Sequence, residues 1–227
     1  MEEALKAWVD PEKAALVIVD VQNDFLSSEG LLGKAGNDMG LYQGMVHQRL
    51  VPFLEEARKA GMRVIFVQME SSRWTNSPVS LEKSRSSRVP YARQEVAEEE
   101  ADVVCRKGSW GAEFYVIQPQ GGRETVVKKH RYSAFIDTNL NVLLRAQGIG
   151  TILLTGVAGN VCVESTARDA FMFDYRVLFV EDCTASRSEE QQKATLVNID
   201  KFFGYVVNSR EVAAVWQGTV ARVPSRA

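Results

Sequence analysis

The sequence predicts a single-domain α/β protein, a three-layer αβα sandwich around a central, mostly parallel six-stranded sheet. Three observations predict it. Short continuous apolar runs recur along the chain: AALVIV from Ala14, RVIFV from Arg63 and RVLFV from Arg176. Such runs mark strands buried on both faces. Segments with apolar residues at helical spacing lie between them, and glycines punctuate the changes. Alternating strand and helix implies parallel pairing with right-handed crossovers.

The elements follow in order. Ala14 to Val19 is the first strand and ends on Asp20. A carboxylate directly after a central strand lands at the sheet's carboxyl edge, although Asp20 and Asp24 both suit a cap or turn. Ser27 to Gly40 is punctuated by glycines and reads as loop. From Leu41 to Ala60, Val46, Leu50, Phe53, Leu54 and Ala57 form one helical face, which Pro52 should kink or restart. Gly61 stops it, and Arg63 to Val67 is the second strand. The polar stretch from Gln68 to Gln94 reads either as a mobile surface loop or as a lid or partner-contact arm, since long structureless loops are usually functional. Glu95 to Glu100 suggests a short exposed helix or an acidic patch.

Cys105 to Gly111 reads as a turn carrying Trp110, and Thr125 to Lys128 as a strand running into Lys129. Thr138 is a plausible N-cap for a helix carrying Leu140, Leu143 and Leu144. Thr151 to Thr155 is the next strand. Gly156-Val157-Ala158-Gly159 turns the chain, and a helix begins near Val161. Arg176 to Val180 is the fifth strand. Ser188 and Gln191 then fit a capping box for a helix faced by Leu196, Ile199 and Phe203. Tyr205 to Val207 is a short edge strand, and Glu211 to Gln217 a last helix.

Bulk composition narrows the function. The 227 residues suffice for one filled core, and 45% hydrophobic with 25% charged residues is the balance of a soluble globular protein. A net charge of −2 gives no electrostatic case for a nucleic-acid or membrane partner. No apolar run approaches the ~20 residues that span a bilayer. The acidic start MEEALKAWVD lacks a signal-peptide core. Cys105, Cys162 and Cys183 are an odd, scattered set, which points to a reducing cytoplasm.

Three strand ends then gather chemistry at one edge: Asp20, Lys128 or Lys129, and Cys162. Cys162 lies in the expected first turn of a helix, where free N–H groups and the helix dipole favour an anion. A lowered thiol pKa is therefore expected. A nucleophilic thiol needs a base, and later an acid for a leaving nitrogen. A lysine between thiolate and carboxylate would make both charges tolerable. Backbone N–H groups of the Gly156 to Cys162 turn could receive an oxyanion.

Rival chemistries are weaker. Cys162 and Arg168 have the C-x5-R spacing of cysteine phosphatases. The segment reads as helix, however, and turns Arg168 away from Cys162. Gly156-x-x-Gly159 is not a dinucleotide fingerprint. His47 and His130 make no ligand pattern, so no metal is expected.

The runs VIVDVQNDF, KHRYSAFIDTNL and LLTGVAGNVCVESTARDAF, in this order and spacing, resemble the isochorismatase-like cysteine hydrolases. The resemblance spans Ala14 to about Val207. Within that family the chain looks most similar to the ureidoacrylate, biuret and triuret amidohydrolases, through RKGSW, KKHRYSAF and NIDKFFGYV. It implies the isochorismatase-like, Rossmann-like hydrolase fold and a catalytic triad of Asp20, Lys129 and Cys162. It chooses Lys129 over Lys128, as the lysine four residues before Ser133. It also implies an oxyanion hole from the N–H groups of Ala158 and Cys162, with a cis peptide between Val157 and Ala158. Gly159 departs from the family, which usually has threonine there. The zinc-binding histidines of the family's nicotinamidases are missing at Gln68-Met69-Glu70, which argues against nicotinamide and against a metal.

The expectation is a cytoplasmic, cofactor-free amidohydrolase of a small ureido or amide compound, working through a thioester. Phe25, Trp74, Trp110, Tyr132 and Asn160 are expected to wall its pocket. Alternatives are an N-carbamoylsarcosine amidase-like enzyme and an isochorismatase cleaving a vinyl ether. The latter would hold a dicarboxylate with Arg73, Arg85, Arg88 or Arg131. A protein kept only for binding or assembly is the non-enzymatic alternative. The family and the 68–94 arm suggest a homo-oligomer, dimer or tetramer.

Overall fold

A computed structural model of the protein describes residues 2–86 and 103–220. Six strands form one sheet: β1 (Ala14–Val19), β2 (Arg63–Met69), β3 (Glu124–Lys129), β4 (Thr151–Val157), β5 (Arg176–Ala185) and β6 (Tyr205–Val207). Their order is β3-β2-β1-β4-β5-β6, and every pairing is parallel. The chain builds outward from β1 on one side, then crosses back to β4 and builds outward on the other. The strand order therefore reverses between β1 and β4, where open α/β sheets characteristically bind ligands beyond their carboxyl ends.

Both faces of the sheet are covered. β1 is buried along its whole length, as its unbroken apolar run requires. Alternate side chains serve opposite layers. Leu16, Ile18 and Phe66 pack with Leu50, Leu54 and Trp216, whose indole N–H donates to Val9 O at 2.9 Å. Val17, Val19 and Ile65 pack with Leu140, Leu144, Ala167 and Ile199.

The helix expected over Leu41 to Ala60 is present as Gly40–Met45, a π turn at Val46–Leu50, and Val51–Lys59. Pro52 sits in the first turn of the restarted segment, where its missing N–H costs least. Gly61 ends it at φ 75°. Ser27 to Gly40 is not all loop: Leu31–Lys34 is a helical turn, preceded by another at Asn23–Leu26. The arm is not structureless either. β2 runs on to Met69, and Pro78–Ser86 is helical. Its remainder to Gln94, with Arg88 and Pro90, and the Glu95 to Glu100 segment lie outside the described residues.

Asn139, not Thr138, is the cap residue of the helix Leu140–Ala146, but the Thr138 hydroxyl accepts the Leu140 N–H at 3.1 Å. Ser188 caps Glu189–Asn198 as expected, accepting the Gln191 N–H at 3.3 Å. The structure adds a first helix, Glu2–Trp8, and extends β5 to Ala185. No helix among the described residues is long and apolar enough to cross a membrane.

Candidate active site

β1 delivers Asp20 to the sheet's carboxyl edge with φ 54°, a left-handed conformation that aspartate tolerates better than most residues. Its N–H donates to Val67 O at 3.0 Å, which locks it to β2. Lys129 is the last residue of β3, and β2 brings that end toward β1. The peptide bond between Val157 and Ala158 is cis. A π turn over Gly159–Val163 then carries Cys162 into the helix Glu164–Met172.

These three side chains meet. Lys129 Nζ lies 2.7 Å from Asp20 Oδ2, and the two side chains are 0% and 1% exposed. The same ammonium is 3.5 Å from Cys162 Sγ and donates to Arg131 O at 3.0 Å. Lys128, the other lysine at this strand end, points outward and pairs with Glu70 at 2.7 Å. Asp24 is structural, and accepts the N–H groups of Leu31 at 2.8 Å and Cys105 at 2.7 Å. Arg168 pairs with Glu164 at 2.6 Å, one turn back on its own helix, so the C-x5-R spacing builds no anion cradle.

The electrostatics correct one expectation. Burial pushes the Cys162 thiol up to about 12; Lys129 pulls it down, and Asp20 pushes it further up. The expected lowering is not found: burial, with the Asp20 carboxylate, raises the thiol against the pull of Lys129. Burial also raises Asp20, against the pull of Lys129. For Lys129 burial acts downward, but the charges of Asp20 and Cys162 prevail and its pKa is raised. The raised thiol thus lies beside the 2.7 Å contact of Lys129 with Asp20. The Cys162 thiol and the Met69 main chain also act on the Asp20 carboxylate and hold its pKa down against burial.

Cys162 opens into a cavity. Phe25, Leu32, Tyr42, Val157 and Val161 give it an apolar lining, and Met69, Glu70 and His130 line it from the ends of β2 and β3. Thr75, Asn76, Ser77, Ser80 and Leu81 wall it from the arm. Of the residues expected in the pocket wall, Phe25 and Tyr132 line this cavity, and Trp74, Trp110 and Asn160 do not. Trp74 is 85% exposed with Arg73 over its ring, and Trp110 is half exposed in a 3-10 turn. Asn160 follows the turn, with its N–H bound to Ser186 Oγ and its Oδ1 buried.

The cavity holds one residue that sequence reasoning missed. Arg187 follows the end of β5; its Nη1 donates to Asn37 Oδ1 at 3.0 Å, and its buried Nη2 has no partner among the described residues. It is the only arginine or lysine among the described lining residues. Arg131, expected as a pocket cation, donates to the carbonyls of Thr75 and His130. The side chains of Arg85 and Arg88 lie outside the described residues. The signal available was position: Arg187 directly follows a strand's carboxyl end. Among the described residues no group of three or more His, Cys, Asp or Glu side chains could hold a metal ion.

The chain is similar to known hydrolases over most of its length. Residues 14–211 match the isochorismatase domain. The chain is 37% identical over 202 residues to the ureidoacrylate amidohydrolase RutB of Pantoea ananatis, covering 86% of this chain and 79% of that one. It is 34% identical over 228 residues to the RutB of Caulobacter segnis, covering 96% and 90%. The solved N-carbamoylsarcosine amidase of Thermoplasma acidophilum superposes with a TM-score of 0.65 at 28% identity, over 87% of this chain and 96% of that one. With a matching domain over most of its length, the chain belongs to the isochorismatase family of hydrolases.

Proposed function

We propose that this protein is a cysteine-dependent amidohydrolase that cleaves a C–N bond of a small ureido compound bearing a carboxylate. The observation that carries the reading is the sealed contact of Asp20, Lys129 and Cys162 at the cavity. Asp20 takes the Cys162 proton as the sulfur attacks the substrate carbonyl carbon. With the resting thiol so high, proton transfer and attack belong to one concerted step. The N–H groups of Ala158 and Cys162 receive the oxyanion. As the tetrahedral intermediate collapses, the C–N bond breaks and protonated Asp20 gives its proton to the departing nitrogen. Asp20 then activates water, which hydrolyses the thioester and returns the proton to sulfur. Lys129 keeps its charge throughout and holds Asp20 in place.

Arg187 supports the choice of substrate within that class. A guanidinium N–H left unpaired in an apolar cavity suits a carboxylate. Ureidoacrylate and N-carbamoylsarcosine carry one, and biuret and triuret do not. A vinyl-ether-cleaving isochorismatase would need cations for two carboxylates, which the described lining does not supply. The described part of the arm, with Thr75 to Leu81, is proposed to cover the bound substrate. The protein is proposed to be cytoplasmic and to assemble as a homo-oligomer.

The test is ammonia release from ureidoacrylate, N-carbamoylsarcosine, biuret, triuret and nicotinamide, with Cys162→Ala run beside the parent. Turnover of a carboxylate-bearing ureido compound, lost in the variant, is expected. Undiminished turnover by the variant would sink the mechanism.

A further inference from the structure

The turn that carries Cys162 is braced from β5, through space that a side chain at position 159 would fill. A methyl group on Gly159 would stand 2.7 Å from Gln192 Oε1 and 2.8 Å from Ser186 Oγ. Both distances are too short for carbon against oxygen, so a side chain here would have to push the Ser186 and Gln192 side chains aside. What occupies the space is a hydrogen-bonded chain. The Asn160 N–H donates to Ser186 Oγ at 3.0 Å, and the Ser186 hydroxyl donates to Gln192 Oε1 at 2.7 Å. Gln192 Nε2 donates to Thr184 Oγ1 at 3.0 Å, and that hydroxyl donates to Glu181 O at 3.0 Å. Ser186 is 3% exposed, so water does not compete for its hydroxyl.

We propose that Ser186, held by Gln192, is a positioning residue for the oxyanion turn, and that Gly159 has no side chain so that this brace can reach it. The inference rests on reading the Ala158 and Cys162 N–H groups as the oxyanion hole. Donors to an oxyanion act by being fixed in advance. The peptide joining Gly159 and Asn160 lies between those two donors, and glycine alone leaves it loosely defined. The bond from Asn160 N–H to Ser186 Oγ fixes that peptide. Ser186 makes none of the contacts among Asp20, Lys129 and Cys162, so its loss changes the turn without altering the ionising groups.

The experiment compares Ser186→Ala, Ser186→Thr and Gln192→Ala with the parent on the best ureido substrate, recording kcat, KM and the pH profile. Ser186→Ala is expected to lower kcat about five- to twentyfold, the worth of one buried hydrogen bond, with KM within about twofold. The acid-side midpoint of the pH profile should stay in place. Ser186→Thr, which keeps the hydroxyl, should recover most of the loss. Gln192→Ala, a half-buried site where folding is safe, should show a smaller loss of the same kind. Parent-like kcat in Ser186→Ala overturns the proposal. So does a loss in Ser186→Ala that threonine does not recover and that moves KM or the pH midpoint equally, because that is a general disturbance. A parent chain with no turnover on any ureido or amide compound sinks the functional reading and this one with it. An active parent with indifferent variants sinks only this one.

Discussion

Lys129 Nζ stands 2.7 Å from Asp20 Oδ2 with both side chains sealed from water. Each charge makes the other tolerable, so removing one strands its partner. Lys129→Met should cost about 3–5 kcal/mol of stability, and the double variant with Asp20→Asn should lose less than the sum of the two singles. Urea denaturation reads this. Simple additivity would show that the pair does not bear on the fold.

Cys162→Ala removes one sulfur from a buried site and leaves the ion pair intact. It should fold, with a stability loss of about 1 kcal/mol. Turnover should fall at least about a thousandfold, because the proposed mechanism has no second nucleophile. Steady-state assays and a melting curve on the same sample separate the two effects.

The pH dependence follows from the direction of each shift. In the proposed mechanism Asp20 must be ionised to take a proton, and its pKa in the folded protein is raised by burial. So kcat/KM should fall as pH drops through a midpoint above the usual carboxylate value of about 4. The native state also holds that proton more tightly than the unfolded chain does. The associated stabilisation is present below the unfolded pKa and is lost as pH rises through the folded one. Asp20→Asn should flatten that part of the stability profile. Cys162, pushed up to about 12, should react with iodoacetamide at a rate still climbing above pH 9. A plateau below pH 8 would mean that the thiol is activated at rest.

Arg187 offers the cavity an unpaired guanidinium nitrogen. Arg187→Met should raise KM for ureidoacrylate at least about tenfold and leave that for biuret nearly unchanged. Equal effects on both would mean that Arg187 shapes the cavity without reading charge.

Several large apolar side chains lie on the surface, among them Phe202 at 62% and Met172 at 69% exposed. Contiguous exposed apolar patches mark interaction sites, whereas single exposed apolar residues are ordinary. Light scattering should give a mass that is a multiple of 25.3 kDa. A monomer mass would end the proposal of a homo-oligomer.

Much of this was legible from residue order alone. Strands buried on both faces are written as unbroken apolar runs, so β1 and the start of β5 are visible from AALVIV and RVLFV. The parallel sheet then follows from alternation. Asp20, Lys129 and Cys162 could be brought to one edge because each closes or follows a strand, but choosing Lys129 over Lys128 needed the resemblance. Three things were hidden. The high pKa of Cys162 depends on how completely three segments enclose it, which no local pattern records. Trp74 and Trp110 suggested a pocket by chemistry, yet the arm presents Thr75 and Leu81 to the cavity instead. Arg187 gave no motif, since one arginine after a strand is common and its unpaired nitrogen exists only in the assembled cavity.

One backbone contact has a further consequence. Gly156 sits in β4 at φ 106°, and a side chain there would run into the carbonyl of Val19, the residue before Asp20. The two strand ends that carry the acid and the thiol therefore touch main chain to main chain. Transplanting Asp20, Lys129 and Cys162 onto another parallel sheet would not reproduce the distances between them unless a glycine were transplanted as well. The smallest residue in the neighbourhood acts as its spacer gauge, setting a separation that no choice of side chain could reset.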